Sequence, residues 1–229
     1  MSEAHDITFA TSTRKDGNMG LRFGPEEAVR AHREAFLARY GISPEACAVM
    51  ECEHGLTVEE ARAGSLIRSD ALISDLRGCC LFLLTADCIP LALIDAEHGA
   101  CALIHASRKT LAGGLIAKCV RALESSYGVT PGDLRAIIGP HIRKGSYAFD
   151  LPLASVDAAI APYISYESGR AHIGLTDTAL AQLADAGIAP ECISDTGEDT
   201  FSGPYFSHYR AARSTEEREG RMASILILP

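Results

Sequence analysis

Three apolar patterns divide the chain. Residues 80–86, 89–94 and 100–106 are almost continuously apolar, as strands buried on both faces are. The stretch "LFLLTADCIPLALID" (81–95) is interrupted at its centre by Thr85, Asp87 and Cys88. A carboxylate in such a run needs a partner or a metal. Pro90 cannot sit in the middle of a central ladder, so the stretch is expected to form two strands or one kinked strand. Apolar residues at helical spacing predict helices over 24–41, opened by Pro25 and two Glu and closed by Gly41, over 109–128 despite Gly113-Gly114, and over 177–188. Strands are expected at 7–14, at 46–55 ending on His54-Gly55, at 133–142 and at 220–228, with 70–75 a loop or edge strand. Strands dominate and the helices fall between them irregularly. This predicts an α+β or mixed α/β fold, and without a linker, repeat or low-complexity tract the prediction is a single domain over 1–229.

Composition narrows the function classes. The chain has 229 residues and a formal net charge of −9, which argues against a nucleic-acid surface while leaving room for a local anion site. It contains no Trp, so a stacking platform for single strands is not expected. The polar start "MSEAHDITFATSTRKDG" has no apolar signal core, and no apolar run reaches membrane-spanning length. The eight Cys are accordingly expected to be core residues or reduced thiols of a cytoplasmic protein. There is no CxxC pair and no GxGxxG after a strand, so a zinc ribbon and a dinucleotide fold are not expected. Any metal site has to be assembled from distant segments.

Two constellations carry chemistry. His54 and His105 at strand ends, with Cys88, match an open zinc site of three protein ligands. The same residues also match a metal-free nucleophile, with Cys88 attacking, His105 as base, and Asp87 or another carboxylate orienting the imidazole. In "HASRKTLAGG" (105–114), Ser107, Arg108, Lys109 and Thr110 crowd an expected helix N-terminus, a setting suited to phosphate or carboxylate. "GPHIRKGSY" (139–147) adds His141, Arg143, Lys144 and Tyr147, for which a solvated basic loop is the plainer expectation. His5, His32, His98, His172 and His208 show no pattern.

In order and spacing, several segments together resemble the purine nucleoside phosphorylase family long labelled laccase-domain or multicopper polyphenol oxidase. They are "STRKDG" (12–17), "ECEHG" (51–55), "SDALIS" (69–74), "TADCIPLALIDAEHGACALIHA" (85–106), "IGPHI" (138–142) and the block "FSHYR…EGRMASILIL", and they span nearly the whole chain. The resemblance implies an α+β fold of mixed β-sheets packed together with helices outside. It also implies zinc held by His54, Cys88 and His105, in a cytoplasmic enzyme acting on purine nucleosides with phosphate. Two His and one Cys without a His-rich cluster cannot supply a multicopper centre. On this resemblance Asp87 is a partner for a ligand imidazole or an acid/base group. Ser107, Arg108, Lys109 and His141 surround the substrate or phosphate, and Arg14 closes the pocket. The chain departs from the family's usual Ala-Gly-Trp-Arg-Gly after the core His, having "ASRKT" instead, which places Arg108 and Lys109 at the Trp and Arg positions. Cys52 stands at a Gln position and Ala148 at a Glu position. These departures leave open a catalytically degenerate metal- and ligand-binding relative, as well as deamination or hydrolysis in place of phosphorolysis.

Overall fold

The two longest apolar runs become neighbouring strands that feed separate cores from alternate residues. The structure is a computed structural model that describes residues 7–153 and 155–228, and His5 lies outside them. Strands β7 (Ile89–Asp95) and β8 (Ala100–Ala106) pair antiparallel at the centre of a six-stranded sheet. Its order is β13 (Ile193–Asp195), β9 (Arg135–Ile138), β7, β8, β5 (Ala71–Ser74), β3 (Val58–Glu60). A five-stranded sheet orders β1 (Thr8–Thr11), β14 (Met222–Ile227), β6 (Cys80–Thr85), β2 (Cys47–Glu51), β4 (Leu66–Arg68). A small third sheet orders β10 (Ala148–Asp150), β12 (Arg170–Ile173), β11 (Ile164–Glu167).

Period-2 alternation explains the continuous apolar runs. Along β8, Cys101 and Leu103 face a core shared with Leu81 and Leu83 of β6, which lies between the two large sheets. Ala102, Ile104 and Ala106 face the other way, onto Leu115, Ile116 and Cys119 of helix α3 (Leu115–Tyr127) and Ala179 and Leu183 of α4 (Leu175–Asp185). On the far side of the five-stranded sheet, Phe82 and Ile225 pack on Phe36 and Leu37 of α1 (Glu26–Ala38). The result is four layers, helix–sheet–sheet–helix, the mixed α+β architecture anticipated above.

The 81–95 stretch forms two strands, as expected, and three other expectations are corrected. Pro90 lies in a central strand, but as its second residue, before the β7–β9 ladder begins at Leu91↔Ile138. The missing Pro90 N–H leaves the Gly139 carbonyl without a strand donor, and His141 Nδ1 donates to that carbonyl instead at 2.8 Å. Segment 70–75 contains a buried inner strand, β5, flanked by β8 and β3. The 109–128 helix breaks into α2 (Arg108–Ala112) and α3, because Gly114 adopts φ +73. Cys88 lies outside any strand, in the three residues that carry the chain from β6 in one sheet to β7 in the other.

Candidate functional site

Three loop and strand ends meet where β6 crosses to β7. His105 is the penultimate residue of β8, and it is almost fully buried. Asp70, one residue before β5, is bound to it twice. The Asp70 carbonyl accepts the His105 backbone N–H at 2.8 Å, and its Oδ1 accepts from Nδ1 at 2.8 Å. In the singly protonated form that ligates a metal, the Nδ1 proton faces Asp70 and Nε2 carries the lone pair. The same carboxylate accepts the backbone N–H groups of Glu53 (3.3 Å), His54 (3.0 Å) and Gly55 (2.6 Å). Converging N–H groups of this kind require a left-handed residue in the turn, and His54 supplies it at φ +57. One buried carboxylate thus places both imidazoles, whose rings meet edge to face at 4.8 Å. Burial would raise the Asp70 pKa, but the bonds from His105, Gly55 and His54 lower it.

The potential ligand atoms of His54, Cys88 and His105 lie within 4.8 Å of one another. Burial pushes the Cys88 thiol up, and the adjoining His105 and His54 outweigh it, leaving the thiol at about 6. Cys88 is therefore a thiolate at neutral pH, the form that ligates metals and attacks electrophiles. Burial opposes a proton on His105, yet Cys52, Cys88 and Asp70 hold its pKa well above the usual value. Two imidazoles and a thiolate suit zinc, and the Asp70–His105 contact is the carboxylate–histidine support such sites use. A second group, Cys52, Asp70 and His105, also clusters within 4.8 Å. Of the two groups, only the first contributes more than one side chain to a pocket, since His54 and Cys88 line it.

That pocket encloses about 330 Å³. His54, Asp87 and Cys88 border it, with Ser107, Arg108 and Lys109 from the β8–α2 junction. Tyr147, Phe149, Tyr209 and Arg213 complete it, and His208, which showed no sequence pattern, also lines it. Tyr209 packs edge to face with Tyr147 (5.5 Å) and Phe149 (5.7 Å), forming an aromatic wall.

Several predicted residues have other work. The imidazole partner is Asp70, whereas Asp87 Oδ1 accepts from Thr200 Oγ1 and Oδ2 from the Tyr209 N–H, both at 2.6 Å. Asp87 thereby ties the pocket floor to the start of α5 (His208–Ala211), from a left-handed backbone at φ +85. Ser107 is spent on capping α2, its Oγ accepting the Thr110 N–H at 3.2 Å. Because α2 is only five residues long, the expected long-helix dipole is absent there, and any attraction for an anion comes from Arg108 and Lys109 themselves. Arg14 does not line the pocket; it pairs with Glu217 at 3.3 Å. His141 is fully buried, donating to Gly139 O and accepting from Thr176 Oγ1, and burial drives its pKa down to about 4. The nearby basic loop is neutralised by Arg143–Asp195 and Lys144–Asp177 pairs.

The chain matches the family described as multi-copper polyphenol oxidoreductase laccase over residues 8–229, and it belongs to that family. A purine nucleoside phosphorylase of Corynebacterium glutamicum is 30% identical over 93% of this chain and 87% of its own. One of Streptomyces coelicolor is 31% identical over 92% and 87%. Among solved structures, the hypothetical protein YfiH of Bacillus licheniformis superposes with a TM-score of 0.85 at 24% identity, covering 99% of this chain and 94% of its own. YlmD of Geobacillus stearothermophilus gives 0.85 at 22%, covering 98% and 93%.

Proposed function

We propose that this chain is a zinc-dependent purine nucleoside phosphorylase of the cytoplasm. The observation that carries the reading is the convergence of His54, Cys88 and His105, the first two lining a pocket that also holds cations and an aromatic wall. The relatives named purine nucleoside phosphorylase support the substrate class. Zinc held by these three residues would supply a Lewis acid with an open position for an oxygen ligand. Copper of the multicopper type fits poorly with one thiolate and two imidazoles.

The remaining roles follow from position. Arg108 and Lys109, three and four residues beyond His105, receive phosphate; Lys acts as a point charge and Arg as a bidentate fork. Tyr147, Phe149 and Tyr209 present apolar faces on which a flat base can rest. Asp87 holds Thr200 and the start of α5, and so keeps that wall against the Cys88 turn. A phosphate oxygen bonds to the ribose C1′, the glycosidic C–N bond breaks, and its electron pair leaves on the base, which takes up a proton. Free base and ribose 1-phosphate result.

A second reading is favoured by one specific observation. Cys88, His105 and Asp70 stand in the order of a nucleophile, base and orienting carboxylate, with the thiol at about 6. The two readings separate on chelator and alkylator. In the zinc reading, a strong chelator abolishes release of base from adenosine or inosine, and zinc restores it. Activity indifferent to chelator but lost to a thiol alkylator would establish the metal-free hydrolase instead.

A further inference from the structure

Several arginines that do not line the pocket are paired with carboxylates. Arg14 and Arg210 share Glu217, Arg143 pairs with Asp195, Arg170 with Asp150, and Arg221 with Glu219. In a chain of net charge −9 this is the expected condition. Arg108, Lys109 and Arg213 differ in place: all three line the pocket, and among the described residues none of them has a carboxylate within ion-pair distance. The one carboxylate bordering that pocket, Asp87, has both oxygens occupied by Thr200 and the Tyr209 N–H.

The three cations come from two segments of the chain. Arg108 and Lys109 follow His105 on the β8–α2 side, where the proposed phosphate co-substrate meets the metal ligands. Arg213 lies beyond α5, stacked 3.5 Å above the Tyr209 ring and 5.8 Å from the Phe149 ring. Its partner is the Tyr209 carbonyl, reached at 3.3 Å through one nitrogen, so most of its five N–H donors remain available. Arg210, one turn earlier, shows the contrast, with its guanidinium bound to Glu217 and to the Thr200, Phe201 and Tyr205 carbonyls. The rings of Tyr147, Phe149 and Tyr209 contact one another, and Arg213 rests on the Tyr209 and Phe149 members of that wall. A ribose that meets one anion at C1′ and carries a second at C5′, with its base against the aromatic wall, uses both sets of cations, whereas inorganic phosphate alone leaves Arg213 unused.

We propose that the preferred substrate carries its own phosphate: a purine nucleoside 5′-monophosphate, with Arg213 binding the 5′-phosphate while Arg108 and Lys109 bind the attacking inorganic phosphate. The inference rests on the phosphorylase reading above. The bond changes are the same: a phosphate oxygen bonds to C1′, the C–N bond breaks, its electron pair leaves with the base, and the base is protonated. The products are free base and ribose 1,5-bisphosphate. No oxidant or reductant takes part.

The test compares adenosine with adenosine 5′-monophosphate, and inosine with inosine 5′-monophosphate, on the zinc-loaded full chain in saturating inorganic phosphate. The expected result is a kcat/KM about tenfold or more higher for the monophosphates, carried by KM, with ribose 1,5-bisphosphate as product. Arg213→Gln brings the ratio of monophosphate to nucleoside towards one, and Arg213→Lys restores part of it. If the nucleosides are cleaved with phosphate and the monophosphates are no better, this inference fails and the phosphorylase reading stands. If the ratio in Arg213→Gln equals that of the wild type, the assignment to Arg213 is overturned. If no base is released from either class, both readings fall.

Discussion

At the residue scale, Asp70 organises the site without lining it. Its carboxylate collects three consecutive N–H groups from residues 53–55 and the Nδ1 proton of His105. Charge-assisted bonds of this kind offset the left-handed backbone of His54. Asp70→Asn keeps the shape but removes the charge and places an amide against those donors. Zinc affinity is expected to fall roughly 10–100-fold, measured by competition with a chromogenic chelator. Asp87→Asn has a different signature, since Asn tolerates the φ +85 backbone and no imidazole depends on it. Zinc affinity should stay within about twofold while Tm drops, because the charged acceptor for Thr200 and Tyr209 is gone. If Asp87→Asn weakened zinc as much as Asp70→Asn, the assignment of the imidazole partner would be wrong.

At the element scale, the break between α2 and α3 sets where Arg108 and Lys109 stand. Gly113 and Gly114 act differently. At Gly114 a Cβ would meet nothing within 4 Å, so only the left-handed φ is costly, and Gly114→Ala should lose roughly 1–2 kcal/mol in denaturant unfolding. At Gly113 the backbone is ordinary, but a Cβ would approach the Leu56 side chain to 2.4 Å. Gly113→Ala should therefore displace Leu56, one residue past the His54 turn, and weaken zinc binding as well as stability. Hydrophobic periodicity made the central strands, α1 and α4 legible, since each buries a stripe or both faces of a ladder. It could not show the helix break, because "KTLAGGLIAK" keeps its apolar spacing through the glycines. The three ligand candidates were legible from residue type and family resemblance. Asp70 was not, because its role exists only once β5 pairs with β8 and carries it to His105. Phe149, Tyr209 and Arg213 were hidden for the same reason, arriving from β10, from α5 and from just beyond α5, far apart in sequence.

At the scale of the whole molecule, two sheets and the 86–88 crossover hold the site, so global stability and site integrity are linked. His141 tests that frame away from the metal. It is buried neutral, with a pKa of about 4 against 6.5 in the unfolded chain, so the unfolded state binds more protons between those values. Its contribution is complete above pH 6.5 and is lost as pH falls through about 4, amounting to about 3 kcal/mol. Urea unfolding at pH 7.5 and 4.5 should show that fall in the wild type and a smaller one in His141→Gln. No helix among the described residues is long and apolar enough to cross a membrane. Zinc at His54, Cys88 and His105 is expected to serve phosphate-dependent cleavage of a purine–ribose bond. Release of free base from inosine and adenosine, followed against bound zinc with and without inorganic phosphate, addresses it directly. The predicted result is a rate proportional to zinc occupancy, dependent on phosphate, absent in Cys88→Ala, and yielding ribose 1-phosphate in equal amount to base. Base released at the same rate without phosphate, or from protein holding no zinc, would contradict it.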